Sequence, residues 1–578
     1  MGETTSAVPA HESPKESVKE TLISIVIAFV LAFVFRGFVI EAFVIPTGSM
    51  APTLMGAHMR FRSPQTGETW PVGPWFLRGG NNQDPAPFQG DAASPVVVHD
   101  PMTGARREER QVPIRSGDRI LVLKYLYALR EPSRFDVVVF KNPSNTGENY
   151  IKRLIGLPGE QVAIVDGDVF TRRPAAGEGS PTPPPADPVK AAEGWARSDW
   201  KIARKPADAA RAVWQTVFDS ALTPPTRGEQ RPFRGPWQGV DGSGAVASRE
   251  WAIEGRASYA YTGMLPARLR WNSAGEFIRD LRFASGGGYP AALSWAITDR
   301  YAYDESYRIP YDAIAYFPVS DVRLRAGIEV GSDGTPPEVA AVVKARGYEF
   351  RGRIAGGEAL VERRSAADGA EPGAWEVMNR GAAALKPGAI TDVEFWHLDQ
   401  SLWLLVGGKR VAYAEYDWTP AERIRQATGH ELARLVDPNE PRFGSGKGLI
   451  DPRNFEGPRL EWHVSGGPVT FHRVGVDRDL HYRAAMFSAT TAAWATTPQT
   501  TITLGPDEFF VCGDNSPQSQ DSRLWSGPEA WVERLIDGKP GVVPRRLMLG
   551  KAFFVYFPAL AGTNPIPMPD FGRLRFIR

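Results

Sequence analysis

The chain has 578 residues, with 67 Lys and Arg against 66 Asp and Glu, a net charge of +1 and 42% hydrophobic side chains. That length predicts two or three structural units, and the composition excludes a mostly disordered chain and a polytopic membrane protein. The charge balance gives no support for a nucleic-acid partner, and the single cysteine, Cys512, excludes an intramolecular disulfide and any zinc site needing two thiolates.

Residues 1–20 read as a tail. From Leu22 to Phe35 every residue but Ser24 is apolar; Arg36 and Gly37 interrupt, and Phe38 to Ile40 resume. This approaches the roughly 20 apolar residues that cross a bilayer. Three readings compete for residues 21–40: a membrane anchor, a cleaved signal peptide and a buried core helix. Lys15 and Lys19 before the segment and Arg36 near its end leave orientation unassigned by charge. Residues 41–172 then carry short Val- and Ile-rich runs opened by turn residues, as strands do. They include FVIPTGSMAPTL at 43–54, GDRILV at 117–122, FDVVVF at 135–140 and YIKRLIGLPGE at 150–160. Gly56 to Val112 reads as a loop insertion (56–112).

Residues 173–206, opening with RRPAAGEGSPTPPPADP, read as a Pro/Gly-rich linker that cannot pack a core. A Trp- and Tyr-rich insert follows at 207–485. In it Val322, Leu324, Ala326, Ile328 and Val330 alternate as a half-buried strand does. Thr391–Phe395 and Ser401–Val406 are strand-like, and Gly407-Gly408 predicts a hairpin turn into Lys409–Tyr413. Asp299, Asp304 and Asp312 read as solvated loop acids. Residues 486–578 return to strand-like chain with FFVCGDNSPQSQDSR at 509–523. The fold class expected is mainly β behind an N-terminal helix.

A serine nucleophile needs an adjacent base, and none of the eight histidines lies in these blocks. A lysine serves when burial keeps it neutral. Strand alternation puts Lys152 and Leu154 on one face, with Ile151 and Arg153 on the other.

In this order, behind an apolar N-terminal segment, the GSM, GDRILV, YIKR and GDN…DSR blocks resemble the bacterial type I signal peptidases, membrane-anchored Ser–Lys proteases of the S26 family. The resemblance implies Ser49 as nucleophile and Lys152 as general base. It implies an oxyanion hole from the Ser49 backbone N–H and the Thr47 hydroxyl, where serine is the commoner residue. Ser519 matches the residue that hydrogen-bonds the lysine. Asp521 and Arg523 match a supporting ion pair, and Asp514 belongs to the GDN turn. An extended peptide would add itself along Phe43–Thr47 and Asn149–Lys152, with Phe43, Ile45, Tyr150 and Ile151 forming shallow pockets for small side chains. The implied partners are preproteins carrying signal peptides and membrane lipid; no metal or cofactor is implied. The implied location is the bacterial cytoplasmic membrane, single-pass, with the catalytic unit outside. The knuckle cysteines of some long relatives would fall at Ser63–Gly67, which holds no thiol. FWHLDQSLWLLVGGKRVAY, at 395–413, resembles the paired strands of concanavalin-like (laminin-G-like) sandwiches, a class that often binds sugars, so an unidentified ligand of the insert is a further expected partner. With every block outside it, the insert reads as a separable module. A membrane-tethered scaffold with a decayed peptidase core is the alternative function.

Overall fold

The computed structural model describes residues 14–76, 86–91, 94–174, 185–225, 233, 235–246, 250–254, 258–272, 295–306, 316–332, 336–485, 492–536, 538–558, 560–561, 568–569 and 571–577. Helix α1 (Pro14–Val34) is continued by one wider turn, Phe35–Val39. Its stretch Val18–Val39 has a mean hydropathy of 2.6 and none of it is buried by the rest of the described chain. A helix apolar all round and uncovered by protein suits lipid, not a protein core.

The chain then enters a mainly antiparallel sheet built from β1 (Ile40–Val44), β2 (Arg119–Leu123), β3 (Val137–Asn142), β4 (Asn145–Gly156), β5 (Glu508–Cys512), β6 (Val543–Pro544) and β7 (Met548–Phe557). The order across the sheet is β1-β2-β7-β3-β4-β5-β6. Ile40 faces Leu123 and Val44 faces Arg119, so β1 is the sheet edge. Lys152 on β4 faces Val138 on β3, while Arg153 faces Cys512 on β5. β4 pairs with β5 only from Arg153 onward, so among the described residues the opposite side of 149–152 has no strand neighbour. One face buries Ile45, Met50, Ile120, Val137 and Val139; the other buries Val138, Phe140, Leu154 and Val511.

The insert is a β-sandwich. One sheet runs 251–254, 258–261, 469–478, 322–330, 391–398, 401–406, 409–415, with 215–219 also on 469–478; the other runs 237–241, 267–271, 459–465, 338–345, 348–355, 358–365, 376–382. Val322, Leu324, Ala326, Ile328 and Val330 all point into the shared core, as their alternation predicted. Val406 pairs with Lys409 across Gly407 (φ 57°) and Gly408 (φ 76°), a two-residue turn whose positive φ values glycine supplies without strain.

Three expectations need correction. The stretch 56–112 is not plain loop. Among the described residues it holds the antiparallel pairs Met59–Arg62 with Thr69–Val72, Trp75–Phe76 with Ala86–Pro87 and Val96–His99 with Arg106–Glu109, and a small core of Met59, Phe61, Trp70, Val72, Val96, Val98 and Val112. The second half of the expected linker is folded. Asp187 caps the helix Pro188–Trp195 by accepting from the Val189 and Lys190 N–H groups, Trp195 is buried, and Lys201–Ile202 adds a strand to Asp168–Arg172. Short Pro-rich composition hid these elements because Pro at the first helical turn costs nothing; residues 175–184 lie outside the described chain.

Nor is the insert a separable module. Arg423 reaches from the insert to Asp166 (2.9 Å) and Asp168, next to the peptidase sheet. Arg346 bridges Asp166 (2.7 Å) and Asp321 (2.6 Å), and the Lys205 ammonium sits between Asp399 (2.6 Å) and Asp479 (2.8 Å). All eight of these side chains are at most 8% exposed. Such buried charges tolerate being separated poorly, because each would lose its partner in a low-dielectric interior. Cutting out the insert therefore removes part of the support of the peptidase unit.

Candidate active site

Ser49 lies on a single tight turn, Gly48–Met50, that leaves the extended residue Thr47 (φ −117°, ψ 159°). Apolar burial drives the turn: Met50 and Leu54 are fully buried against Ile45 and Ile120. The GDN segment clamps it from the far end of the chain. The Asn515 N–H donates to the Ser49 carbonyl (3.0 Å), and its Nδ2 donates to the Gly48 carbonyl (3.2 Å). A Cβ at Gly513 would lie 2.2 Å from Ser519 Oγ and 2.5 Å from the Ser49 carbonyl oxygen, so only glycine fits there.

Lys152 Nζ is 2.9 Å from Ser49 Oγ, within hydrogen-bond reach. Lys152 is 4% exposed and Ser49 9%. Burial lowers the lysine from 10.5 to about 8, although the nearby Asp521 and Asp514 carboxylates and the Tyr150 ring, 5.0 Å from Nζ, favour its charged form. Desolvation wins. The amine is therefore neutral in a large fraction of molecules near pH 8 and can take a proton from Ser49.

Asp514 grips the Arg153 guanidinium at two points, Nε to Oδ1 (2.7 Å) and Nη2 to Oδ2 (2.6 Å), and accepts from Thr53 Oγ1 (2.5 Å). Asp521 and Arg523 form the expected pair, Nε to Oδ1 at 2.9 Å and Nη2 to Oδ2 at 2.8 Å. Burial pushes the Asp521 carboxyl up, but Arg523 overcomes it and the net shift is downward. Arg523 also donates to the Ser516 hydroxyl (2.6 Å). These groups shape the floor under the lysine and touch no space open to a substrate.

A cavity of about 560 Å³ opens between residues 45–49 and 148–152. Ile45, Thr47, Ser49, Tyr150, Ile151 and Lys152 line it together, as expected. Among the described residues no histidine lines it. Phe43 does not; it packs on the apolar face of the sheet, because β1 turns its odd residues inward. Ser519 is also displaced from its expected role. It is fully buried, and the hydrogen bond of the lysine goes to Ser49 instead.

The sequence reading missed Asn515 as the clamp on the nucleophile turn, and it missed the insert's contribution to the cavity. Tyr303 and Asp304 line it, from a segment that begins 151 positions after Lys152 and 254 after Ser49. Asp304 is half-buried and accepts from Asn515 Nδ2 (2.8 Å); burial raises its carboxyl to about 7. Asp299, 2% exposed, pairs with Arg483 (2.7 Å). Neither is a solvated loop acid: Asp299 also accepts from the Phe317 N–H (2.9 Å), and Asp304 is held by Asn515. Asp312 lies outside the described residues.

Residues 18–71, 109–187 and 472–557 match the family described as signal peptidase, peptidase S26. The chain is 36% identical over 99 residues to "Probable signal peptidase I-2" of a Synechocystis species, covering 14% of this chain and 45% of that protein. It is 38% identical over 69 residues to signal peptidase I of Buchnera aphidicola, 10% of this chain and 21% of that one. With signal peptidase I of Rickettsia typhi the figures are 43% over 53 residues, 9% and 20%. The chain thus spans less than half the length of these curated relatives. Among solved structures it is similar to the carbohydrate binding module CBM66 from Bacillus subtilis, at 11% identity and a TM-score of 0.21, covering 42% of this chain and 95% of that one. It is also similar to the Emp47p carbohydrate recognition domain, at 7% identity and a TM-score of 0.25, covering 48% and 99%.

Proposed function

We propose that this chain, whose residues 18–71, 109–187 and 472–557 belong to the signal peptidase family, peptidase S26, is a membrane-tethered serine endopeptidase that removes signal peptides from exported preproteins. The observation that carries this reading is the buried Lys152 Nζ 2.9 Å from Ser49 Oγ, at the wall of a cavity between two strand edges. A preprotein enters as an extended strand between residues 45–47 and 149–152, and Ile45, Tyr150 and Ile151 leave room only for small side chains beside the scissile bond. Ser49 Oγ attacks the carbonyl carbon as Lys152 takes its proton. The developing oxyanion is met by the Ser49 N–H and the Thr47 hydroxyl, which makes no capping hydrogen bond and is free to turn toward it. Lys152 returns the proton to the leaving amine, then draws one from the water that cleaves the acyl-enzyme. Helix α1 anchors the enzyme in the bacterial cytoplasmic membrane, with the catalytic unit outside, where cleavage sites emerge.

Purified full-length protein should cut a model preprotein at the end of its signal peptide, and Ser49→Ala should abolish this. Cleavage that survives Ser49→Ala, or none by the wild type, sinks the proposal. Thr47→Val should lower kcat by roughly 10²–10³, whereas Thr47→Ser should stay near wild type. Equal rates for Thr47→Val and wild type would leave the Ser49 N–H as the oxyanion donor without Thr47.

A further inference from the structure

We infer that the insert is a working part of the peptidase site, and that its Asp304 is a positioning residue that holds the nucleophile turn through Asn515. The inference rests on the functional reading just given. Four contacts carry it. Asp304 Oδ1 accepts from Asn515 Nδ2 at 2.8 Å, and the same Nδ2 donates to the Gly48 carbonyl at 3.2 Å. The Asn515 main-chain N–H holds the Ser49 carbonyl at 3.0 Å. Tyr303 lies directly over Gly48: a Cβ there would meet its ring at 2.1 Å, so the turn and the insert are fitted to each other. Tyr303 is held in turn by its hydroxyl on the Ala57 carbonyl (2.6 Å) and its own carbonyl on the Gly73 N–H (2.8 Å).

The segment that carries these two residues is fixed at both ends. Trp295 sits in the sandwich core and donates to the Met102 carbonyl at 3.0 Å. Glu305 pairs with His99 Nδ1 at 2.6 Å and accepts from the His99 N–H at 3.1 Å. The two insertions thus lock onto each other beside Ser49, and the large one delivers an acceptor to the side-chain amide that spans the turn. Asn515 has two carbonyl-type acceptors for one Nδ2 group. Without Asp304 the amide keeps only its longer bond to the Gly48 carbonyl (3.2 Å), so the turn is held less firmly and Ser49 loses alignment with Lys152. Misplacement of a reacting group by an ångström is enough to slow catalysis well beyond tenfold.

The test uses the full chain in detergent with four proteins: wild type, Asp304→Ala, Asp304→Asn and Asn515→Ala, plus the Asp304→Ala/Asn515→Ala double variant. Asp304→Ala should lower kcat about tenfold with KM within about twofold. Asp304→Asn keeps an oxygen for Asn515 and puts its NH2 where Oδ2 has no hydrogen-bond partner, so it should recover most of the loss. The double variant should be no slower than Asn515→Ala alone, because Asp304 acts through Asn515. Backbone hydrogen exchange over 47–55 and 513–518 should quicken at least about fivefold in Asp304→Ala and return toward wild type in Asp304→Asn. An unchanged kcat in Asp304→Ala, an Asn variant as slow as the Ala variant, or fully additive losses in the double variant would each overturn the inference. If the wild type cleaves no preprotein, the functional reading fails, and the exchange measurement still decides this one: unchanged exchange in Asp304→Ala overturns it.

Discussion

Replacing Lys152 with methionine is expected to abolish cleavage and make the solubilised protein more stable at pH 8 and below. The sign follows from the lysine's position. Burial lowers its folded pKa from 10.5 to about 8. Above about pH 10.5 the amine is neutral in both folded and unfolded chains and costs nothing. As pH falls from 10.5 to 8, the unfolded chain takes up a proton that the folded chain refuses, so stability is lost; below pH 8 the loss is constant. The gap between the two pKa values corresponds to about 3 kcal/mol. Methionine fills a similar volume without a charge, but it forfeits the hydrogen bond to Ser49, at about 1 kcal/mol. A net gain of about 2 kcal/mol in chemical denaturation at pH 8 or below is therefore expected, shrinking toward pH 10.5. In the wild type, kcat/KM should rise with pH through about 8 and then level off, and this limb should persist in Asp304→Asn. A Lys152→Met protein that is inactive and clearly less stable at pH 8 would mean that the amine is solvated and the base lies elsewhere.

Asp514→Ala should cost about 3–5 kcal/mol of stability, the largest effect expected of any single truncation near the site. It strips the two-point carboxylate from the Arg153 guanidinium, which is 1% exposed and also donates to the Phe135 carbonyl at 2.9 Å. It also removes the acceptor of Thr53, in the turn that follows the Gly48–Met50 segment. Because Arg153 follows Lys152 on β4, cleavage should fall with stability. Removing both charges, as Arg153→Met with Asp514→Leu, should recover most of the stability, since a buried pair replaced by apolar groups of similar volume is often neutral. A loss below about 1 kcal/mol for Asp514→Ala, measured by chemical denaturation, would show that water reaches Arg153 and that the pair is not structural.

Some of this protein was legible in the sequence alone. The apolar run of α1, the alternation at Val322–Val330 and the Gly407-Gly408 turn are local: each is dictated by side chains a few positions apart, at periods of 3.6 or 2, or by positive φ at two glycines. Ser49 and Lys152 were recognisable from their motifs, although the bond between them spans 103 residues. Tertiary structure alone decided the rest. Asp304 meets Asn515 across 211 positions, and the buried links from Arg423 and Arg346 to Asp166 cross 257 and 180. No periodicity or spacing encodes such pairs, because an acid among tyrosines and arginines has the same local signature whether it faces water or a buried amide. Burial and partner choice distinguish the two cases, and both arise only when distant segments close over one another.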